Sequence, residues 1–337
     1  MRPHLITSTA EFAKLRPSWE ALFHACSWAT VFQSPQWQLT WWQHFGREGS
    51  LRALALYDGE TLVGLAPFYI TREGKTPLLR LVGGIDLTDY LDVLARPGYE
   101  SHLWEAVLDT WLGEQCECTL DLHSLRADSP TVRLLPEHAS AHHIALTHQQ
   151  ETVCPVIALP ASWEAYQAAL PSKARHELRR KLRKAGRDAL TSWYIVAHPT
   201  AIAEDLPRFF HLHEQSSPEK AAFWTPTRRA FFEAMAVEMS RAGWLKLAFL
   251  LVNGAPAATF MFFDDGERFL LYNSGFDPAF DAFSPGWVLL GYLIEHAIRL
   301  GRREFDFLRG DEAYKYEFGA RSCPLFNMRL IPPHRTA

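Results

Sequence analysis

Residues 272–319 read YNSGFDPAFDAFSPGWVLLGYLIEHAIRLGRREFDFLRGDEAYKYEFG. The segment FLLYNSGF has the character of a strand; a loop follows, then a helix, then a second strand, EFDFLRG. Apolar Leu289, Leu293, Ala297 and Leu300 recur at helical spacing, and Leu290, Ile294 and Ile298 widen the stripe into a core-facing face. Gly301 ends the helix, because a glycine just past the last turn takes the left-handed cap conformation without steric cost. At the other end stand Ser284, Pro285 and Gly286: serine as cap, proline with its preset φ, glycine for close backbone approach. Free N–H groups and the positive end of the helix dipole make such a start a place for an anion, a diphosphate included. A well-capped structural helix is the plainer alternative.

The same plan occurs twice in the chain. Residues 245–263, LKLAFLLVNGAPAATFMFF, are two apolar runs around Asn253-Gly254, and residues 51–70, LRALALYDGETLVGLAPFYI, are two apolar runs around Asp58-Gly59. Asx-Gly pairs suit a type I′ hairpin, whose two central residues both need positive φ. After the first hairpin come Leu78–Val82, a Gly- and Asp-rich loop, a helical pattern from Ser101 to Leu112 and the strand-like CTLDLHSL. After the second come the strand, loop, helix and strand described above. A repeat this long is a duplicated α/β domain rather than a solenoid. The expected fold class is therefore α/β with mixed sheets in two tandem domains, 1–150 and 151–337.

Length and composition agree. A chain of 337 residues, 48% hydrophobic and 21% charged, is long enough for two cores. Net charge of −4 argues against a chain-wide attraction to nucleic acid. Neither a secretory leader pattern at the N-terminus nor an apolar run of membrane-spanning length is found, which leaves peripheral membrane contact open and a cytoplasmic location expected. Five cysteines, with only Cys116 and Cys118 close together, do not make a disulfide framework, and fifteen scattered histidines show no metal-ligand spacing. No metal is expected.

One local basic patch stands out. Residues 172–187, SKARHELRRKLRKAGR, carry eight lysines and arginines around a narrow stripe of Ala174, Leu178, Leu182 and Ala185, so they predict an amphipathic helix. Lys173 and Arg175 lie in its first turn, where cations oppose the helix dipole unless an anion is near. They are the candidate phosphate ligands, for a nucleotide-bearing donor, a phosphorylated or lipid-linked acceptor, or an RNA backbone. A solvated charged face is the alternative.

The run NSGFDP, then SPG, a helix ending in Gly, and FDFLRGDEAYK resembles the GNAT superfamily, and within it the CelD-like or BioF-like acetyltransferases, which are related to the Fem-type peptidyltransferases. FQSPQWQLTWWQHFG, DYLDVL, the Cys-Pro before the basic helix and SKARHELRRKLRK sit where that subfamily carries similar stretches, so the resemblance covers most of the chain. It implies two tandem GNAT-like acyl-coenzyme A N-acyltransferase domains, the first degenerate and on the acceptor side, the second holding an acyl-coenzyme A such as acetyl-coenzyme A at Asn273, Ser284, Pro285 and Gly286. The phosphate loop departs from the usual GNAT pattern in offering one glycine, Gly286.

Direct acyl transfer requires a deprotonated amine, donors for the developing oxyanion and a proton for the leaving thiolate. Backbone N–H groups near Leu271 to Asn273 would face the donor, with Tyr272 reaching into the cleft. Asp311 or Glu312 is the expected general base, Asp306 reading as structural; Tyr314 is a candidate acid. By resemblance Lys315 stands where Fem-type relatives place a charge-stabilising lysine. Arg309 would neutralise an acid or bind a phosphate, and Asp89, Tyr90 and Asp92 would face the acceptor. An ordinary loop with its salt bridges and core tyrosines would account for the same residues. Three functions compete: an N-acyltransferase acting on an amine of a sugar, lipid-linked intermediate or small metabolite; a Fem-type transferase using aminoacyl-tRNA; and a non-catalytic factor in polysaccharide biosynthesis.

Overall fold

The computed structural model describes residues 1–113 and 118–332, so Cys116 lies outside the described residues. The chain divides into two compact units, Met1–Thr152 with the segment from Cys323 onward, and Val153–Ser322. In chain order the first contains β1 (Arg2–Ile6), α1 (Thr9–Lys14), α2 (Arg16–Ala25), α3 (Pro35–Phe45), the hairpin β2 (Leu51–Asp58) and β3 (Thr61–Glu73), β4 (Thr76–Leu81), β5 (Leu94–Ala95), α4 (Glu100–Gly113), β6 (Thr119–Arg126) and α5 (Pro130–Ala141). The long strand β7 (Ala145–Ala158) begins in the first unit and ends in the second.

The second unit continues with α6 (Trp163–Ala169), α7 (Ser172–Asp188), β8 (Thr191–Val196), α8 (Pro199–Ser216), α9 (Pro218–Phe223), α10 (Pro226–Arg241), the hairpin β9 (Leu245–Val252) and β10 (Ala255–Asp264), β11 (Arg268–Phe276), α11 (Pro285–Arg299), β12 (Glu304–Asp306) and α12 (Ala313–Glu317). Its strands run in the order β7-β12-β11-β10-β9-β8. The last strand, β13 (Arg321–Ile331), pairs antiparallel with β6, which is why the segment from Cys323 groups with the first unit although sequence had assigned 151–337 to one domain.

Both units follow one plan: a hairpin, a third strand, a helix and a fourth strand parallel to the third. β4 pairs with β6 at Leu78↔Thr119, and β11 with β12 at Arg268↔Glu304. A non-glycine residue at positive φ lies near the end of each fourth strand, Ser124 at 56° within β6 and Leu308 at 55° two residues past β12. The fold is thus mixed α/β with two units of like plan, as expected. The turns differ in detail. Asn253 and Gly254 both have positive φ, 52° and 81°, between paired Val252 and Ala255, as a type I′ turn requires. In the other hairpin Asp58 pairs with Thr61, so the loop is Gly59-Glu60 and only Gly59 has positive φ, the pattern of a type II′ turn. Cys26, Cys154 and Cys323 keep their thiols outside any disulfide, whereas Cys118 is disulfide-bonded.

The cores are separate. Trp104, Leu103 and Leu108 of α4 pack with Leu54, Phe68 and Leu120, while Leu289, Leu293 and Ile294 of α11 pack with Phe260, Phe262 and Phe269. The first unit also holds a buried polar network. The Asp121 carboxylate, its side chain fully buried, accepts from Arg80 (2.7 Å), Arg329 (2.9 Å) and His123 Nε2 (3.0 Å), and His123 Nδ1 meets Glu151 at 2.9 Å. Burial alone would push the imidazole down; hydrogen bonds to Asp121 and Glu151 outweigh it and hold His123 up at about 9. A histidine raised in the folded state stabilises fully below its unfolded value near 6.5 and loses that contribution as pH climbs through about 9. Unfolding free energy from urea titrations is therefore expected to fall between those pH values by an amount on the order of 2 kcal/mol, discounted for solvent screening, and His123→Gln to flatten the decline. An unchanged slope in the variant would assign the decline to other groups.

Candidate active site

The site begins where two strands part. β11 and β12 pair in parallel at three positions only, ending with Leu270↔Asp306. Asp306 Oδ1 then accepts from Leu308 N–H (2.8 Å), Leu308 takes its left-handed conformation, and the chain turns to follow β7: Phe307 N donates to Pro155 O (3.0 Å) and Gly310 N to Val153 O (3.1 Å). From Leu271 onward β11 therefore presents an open edge. The gap is a cavity of about 500 Å³. One wall is β11 from Leu271 to Phe276; another is the start of α11, with Gly286, Trp287 and Leu290; the third is Phe307, Arg309, Glu312, Tyr314 and Lys315, and Lys220 of α9 closes the side.

Three features tune the β11 wall. Met261 pairs with Asn273 and Phe262 with Leu271, so Tyr272 is an extra residue, a bulge that bends the strand inside the stretch expected to face a donor. Its ring stacks on Phe232 (5.8 Å, 21°) and lies against Phe263 (5.5 Å). Asn273 is held from behind. His213 of α8 is buried; Trp224 Nε1, which can only donate, bonds its Nδ1 (3.1 Å), so the neutral ring carries its proton on Nε2, on the side of Asn273. Burial, with the nearby Lys220 charge, pushes His213 down to about 4 and keeps it neutral. Hydrogen bonding to the Asn273 side chain and to the Lys220 backbone opposes that shift in part, and Asn273 itself lines the cavity.

At the helix start Ser284 does not cap with its side chain. It sits at φ 51°, ψ 54° and makes no side-chain cap bond; its carbonyl accepts from Val288 N–H (3.1 Å). The serine-cap expectation is corrected: the preceding 3-10 turn at Pro278–Phe283 sets the entry angle and forces the left-handed residue. Pro285 has no N–H, so Gly286 and Trp287 supply the first-turn donors, and a Cβ on Gly286 would meet nothing within 4 Å.

The basic helix α7 packs along α11. Gly291 makes room for it, since a Cβ there would lie 3.2 Å from Leu178 and 3.4 Å from Leu182. This contact carries Lys181 Nζ to 3.8 Å from the Trp287 ring centroid and Lys184 Nζ to 2.6 Å from Ala282 O. Lys173 and Arg175, the cations chosen from sequence, lie at the far end of α7; Arg175 bonds Ala168 O (3.4 Å), and neither lines the cavity.

On the third wall Lys315 is 3% exposed and its ammonium is consumed: carbonyls of Gly310 (3.0 Å), Arg309 (3.3 Å) and Phe307 (3.5 Å), and Glu312 Oε2 at 2.7 Å. Its evident work is to hold the 307–312 turn. Glu312 lines the cavity, whereas Asp311 does not and accepts from the Tyr316 hydroxyl. Burial, reinforced by Glu312, pushes the Tyr314 phenol up, so it holds its proton more firmly than a free tyrosine.

Asp89, Tyr90 and Asp92 serve the interior of the first unit. All three are buried; Gln33 donates to Tyr90 O (2.8 Å), Arg126 lies over the Tyr90 ring, and Asp92 accepts from Val93 N–H (2.7 Å) and the Thr131 hydroxyl. Burial pushes Asp92 up to about 6 despite bonds from Ser129, Thr131 and Val93. The parting of β4 and β6 is filled by the chain itself: Leu91 N donates to Ser124 O (3.1 Å), and Leu91 packs so tightly that a Cβ on Gly83 would lie 2.8 Å from it. Sequence reading missed His213, Lys220, Lys181 and Trp287. The SSPEK run marks a helix start, yet nothing in it separates Lys220 from a solvated lysine.

Residues 172–316 match the family model described as an acetyltransferase (GNAT) domain. No curated protein matches the chain. Solved structures share its fold at low identity: FemX at 12% identity, covering 97% of both chains with a TM-score of 0.65; a conserved protein of unknown function from Bacteroides thetaiotaomicron at 11%, covering 98% of this chain and 100% of that one at 0.60; and the C-terminal domain of a putative lysylphosphatidylglycerol synthetase from Agrobacterium fabrum at 11%, covering 96% and 92% at 0.59. The segment from α7 into α12, which builds the cavity around the open edge of β11, is thus similar to the GNAT acetyltransferase domain.

Proposed function

We propose that the second unit is an N-acyltransferase that takes its acyl group from an acyl-coenzyme A and delivers it to an amine on a small-molecule or lipid-linked acceptor. The observation that carries this reading is the cavity itself: a free strand edge, with a bulge at Tyr272, leads to a helix start whose Gly286 and Trp287 N–H groups have no partner within the helix. An extended thioester donor pairs naturally with such an edge, and a diphosphate with such a start. Bound acyl-coenzyme A supplies an activated carbonyl.

The chain's own groups then divide the work. Backbone N–H groups at the bulge and the Asn273 amide are the donors for a developing oxyanion. Glu312, at the cavity and exposed, accepts the proton of the attacking amine, directly or through water. Lys315 positions Glu312 and the turn that carries Arg309. Tyr314, kept protonated, faces the leaving sulfur as a hydrogen-bond donor. Isothermal calorimetry with a panel of acyl-coenzyme A species is expected to show saturable binding, and absence of binding across the panel removes this reading. The fold shared with FemX, joined to the Fem-like stretches of sequence, favours aminoacyl-tRNA as the second donor candidate. Salt-sensitive retention of tRNA on a gel shift, without coenzyme A binding, would select it.

A further inference from the structure

Lys220 is the cavity group that the mechanism leaves unused. It belongs to the short helix α9, started by Ser217 and Pro218, and its side chain runs inward to the open edge of β11, where Nζ donates to the Ser274 carbonyl and, at 3.3 Å, to the Ser274 hydroxyl. Among the described residues it makes no ion pair. The carboxylate on the cavity wall, Glu312, is already engaged by Lys315 at 2.7 Å. A half-buried ammonium hydrogen-bonded only to neutral oxygens is poorly compensated: burial pulls its pKa down, and the Glu312 charge offsets this in part. The arrangement lacks an anion.

The position of Lys220 says which anion. Ser274 stands two residues before Phe276, the last residue of β11, and Phe276 packs in the same cluster as Phe283 and Trp287, at the entry to α11. Lys220, Ser274, Gly286 and Trp287 line one cavity. We infer that Lys220 is a binding residue for the diphosphate of the donor, supplying from α9 the charge that the neutral N–H groups at the start of α11 lack. This rests on the acyl-coenzyme A reading above and deepens it: a charge-assisted bond from a partly buried lysine is worth more than one from a solvated surface cation.

The test is a ladder of phosphate-bearing fragments measured by calorimetry: pantetheine, 4′-phosphopantetheine and coenzyme A. Lys220→Met is expected to weaken coenzyme A at least about tenfold while leaving pantetheine unchanged, and Lys220→Arg to retain most of the affinity. Wild-type affinity for coenzyme A should also fall with added salt while that for pantetheine does not. Should Lys220→Met fail to fold, Lys220→Gln on the same ladder takes its place. Coenzyme A bound equally by wild type and Lys220→Met, or coenzyme A and pantetheine weakened alike, overturns the inference and leaves the donor reading standing. A wild-type protein that binds none of the three sinks the donor reading and Lys220's role with it.

Discussion

Gly275→Val is expected to disrupt the second unit, with a loss of at least roughly 3 kcal/mol in urea unfolding or failure to accumulate as folded protein. Gly275 lies in β11 opposite Thr259, and a Cβ there would sit 2.5 Å from His213 N, 2.6 Å from His213 Cα and 2.6 Å from Leu212 C. These are backbone atoms of α8, so no rotamer change relieves the overlap; helix and strand must separate. Separation would break the Ser216 hydroxyl bond to Phe276 N–H (2.8 Å) and move His213 away from Asn273. The glycine is required by proximity alone, since it is not among the positive-φ glycines. An unfolding midpoint equal to wild type would show that α8 and β11 do not meet backbone to backbone.

Gly286→Asp should do the reverse, sparing stability and removing donor binding. Space is open around Gly286, and a carboxylate in the first turn of α11 interacts favourably with the helix dipole, so stability should hold or rise by a few tenths of a kcal/mol. The same carboxylate faces the cavity at the point proposed for the diphosphate, and coenzyme A affinity is expected to fall about a hundredfold, which corresponds to about 2.8 kcal/mol. Gly286→Ala is the control, adding a methyl group without charge. If Gly286→Asp binds coenzyme A as tightly as wild type, the diphosphate does not sit at this helix start.

The two glycines show how far sequence reading reaches. Gly286 was singled out because Pro and Gly at a helix start have local meaning. Gly275 lies in a strand pattern where nothing nearby explains it; its reason is a helix sixty residues upstream in the chain. The hairpins divide the same way. At Asn253-Gly254 the Asx-Gly rule places the turn, while at Asp58-Gly59 cross-strand register shifts the loop by one residue to Gly59-Glu60. Ser284 keeps its place at the helix boundary and loses its role, because chain entry from the preceding turn sets its φ.

By itself the sequence determined the hairpin, strand, helix and strand of each unit, and with them the duplicated plan, the stripe of α11 and the existence of a basic helix over 172–187, found as Ser172–Asp188. These follow from periodicity and local conformational preference, which act within a few residues. Only the tertiary structure decided which end of that helix approaches the cavity, since this depends on Leu178 and Leu182 seating over Gly291. It also decided that β11 and β12 part after Leu270, that Leu91 fills the equivalent gap in the first unit, and that Lys220 and His213 stand beside a strand more than fifty residues away. Sites of this kind are made by backbone proximity and by charges that burial leaves without partners, and neither is written in the spacing of residues along a chain.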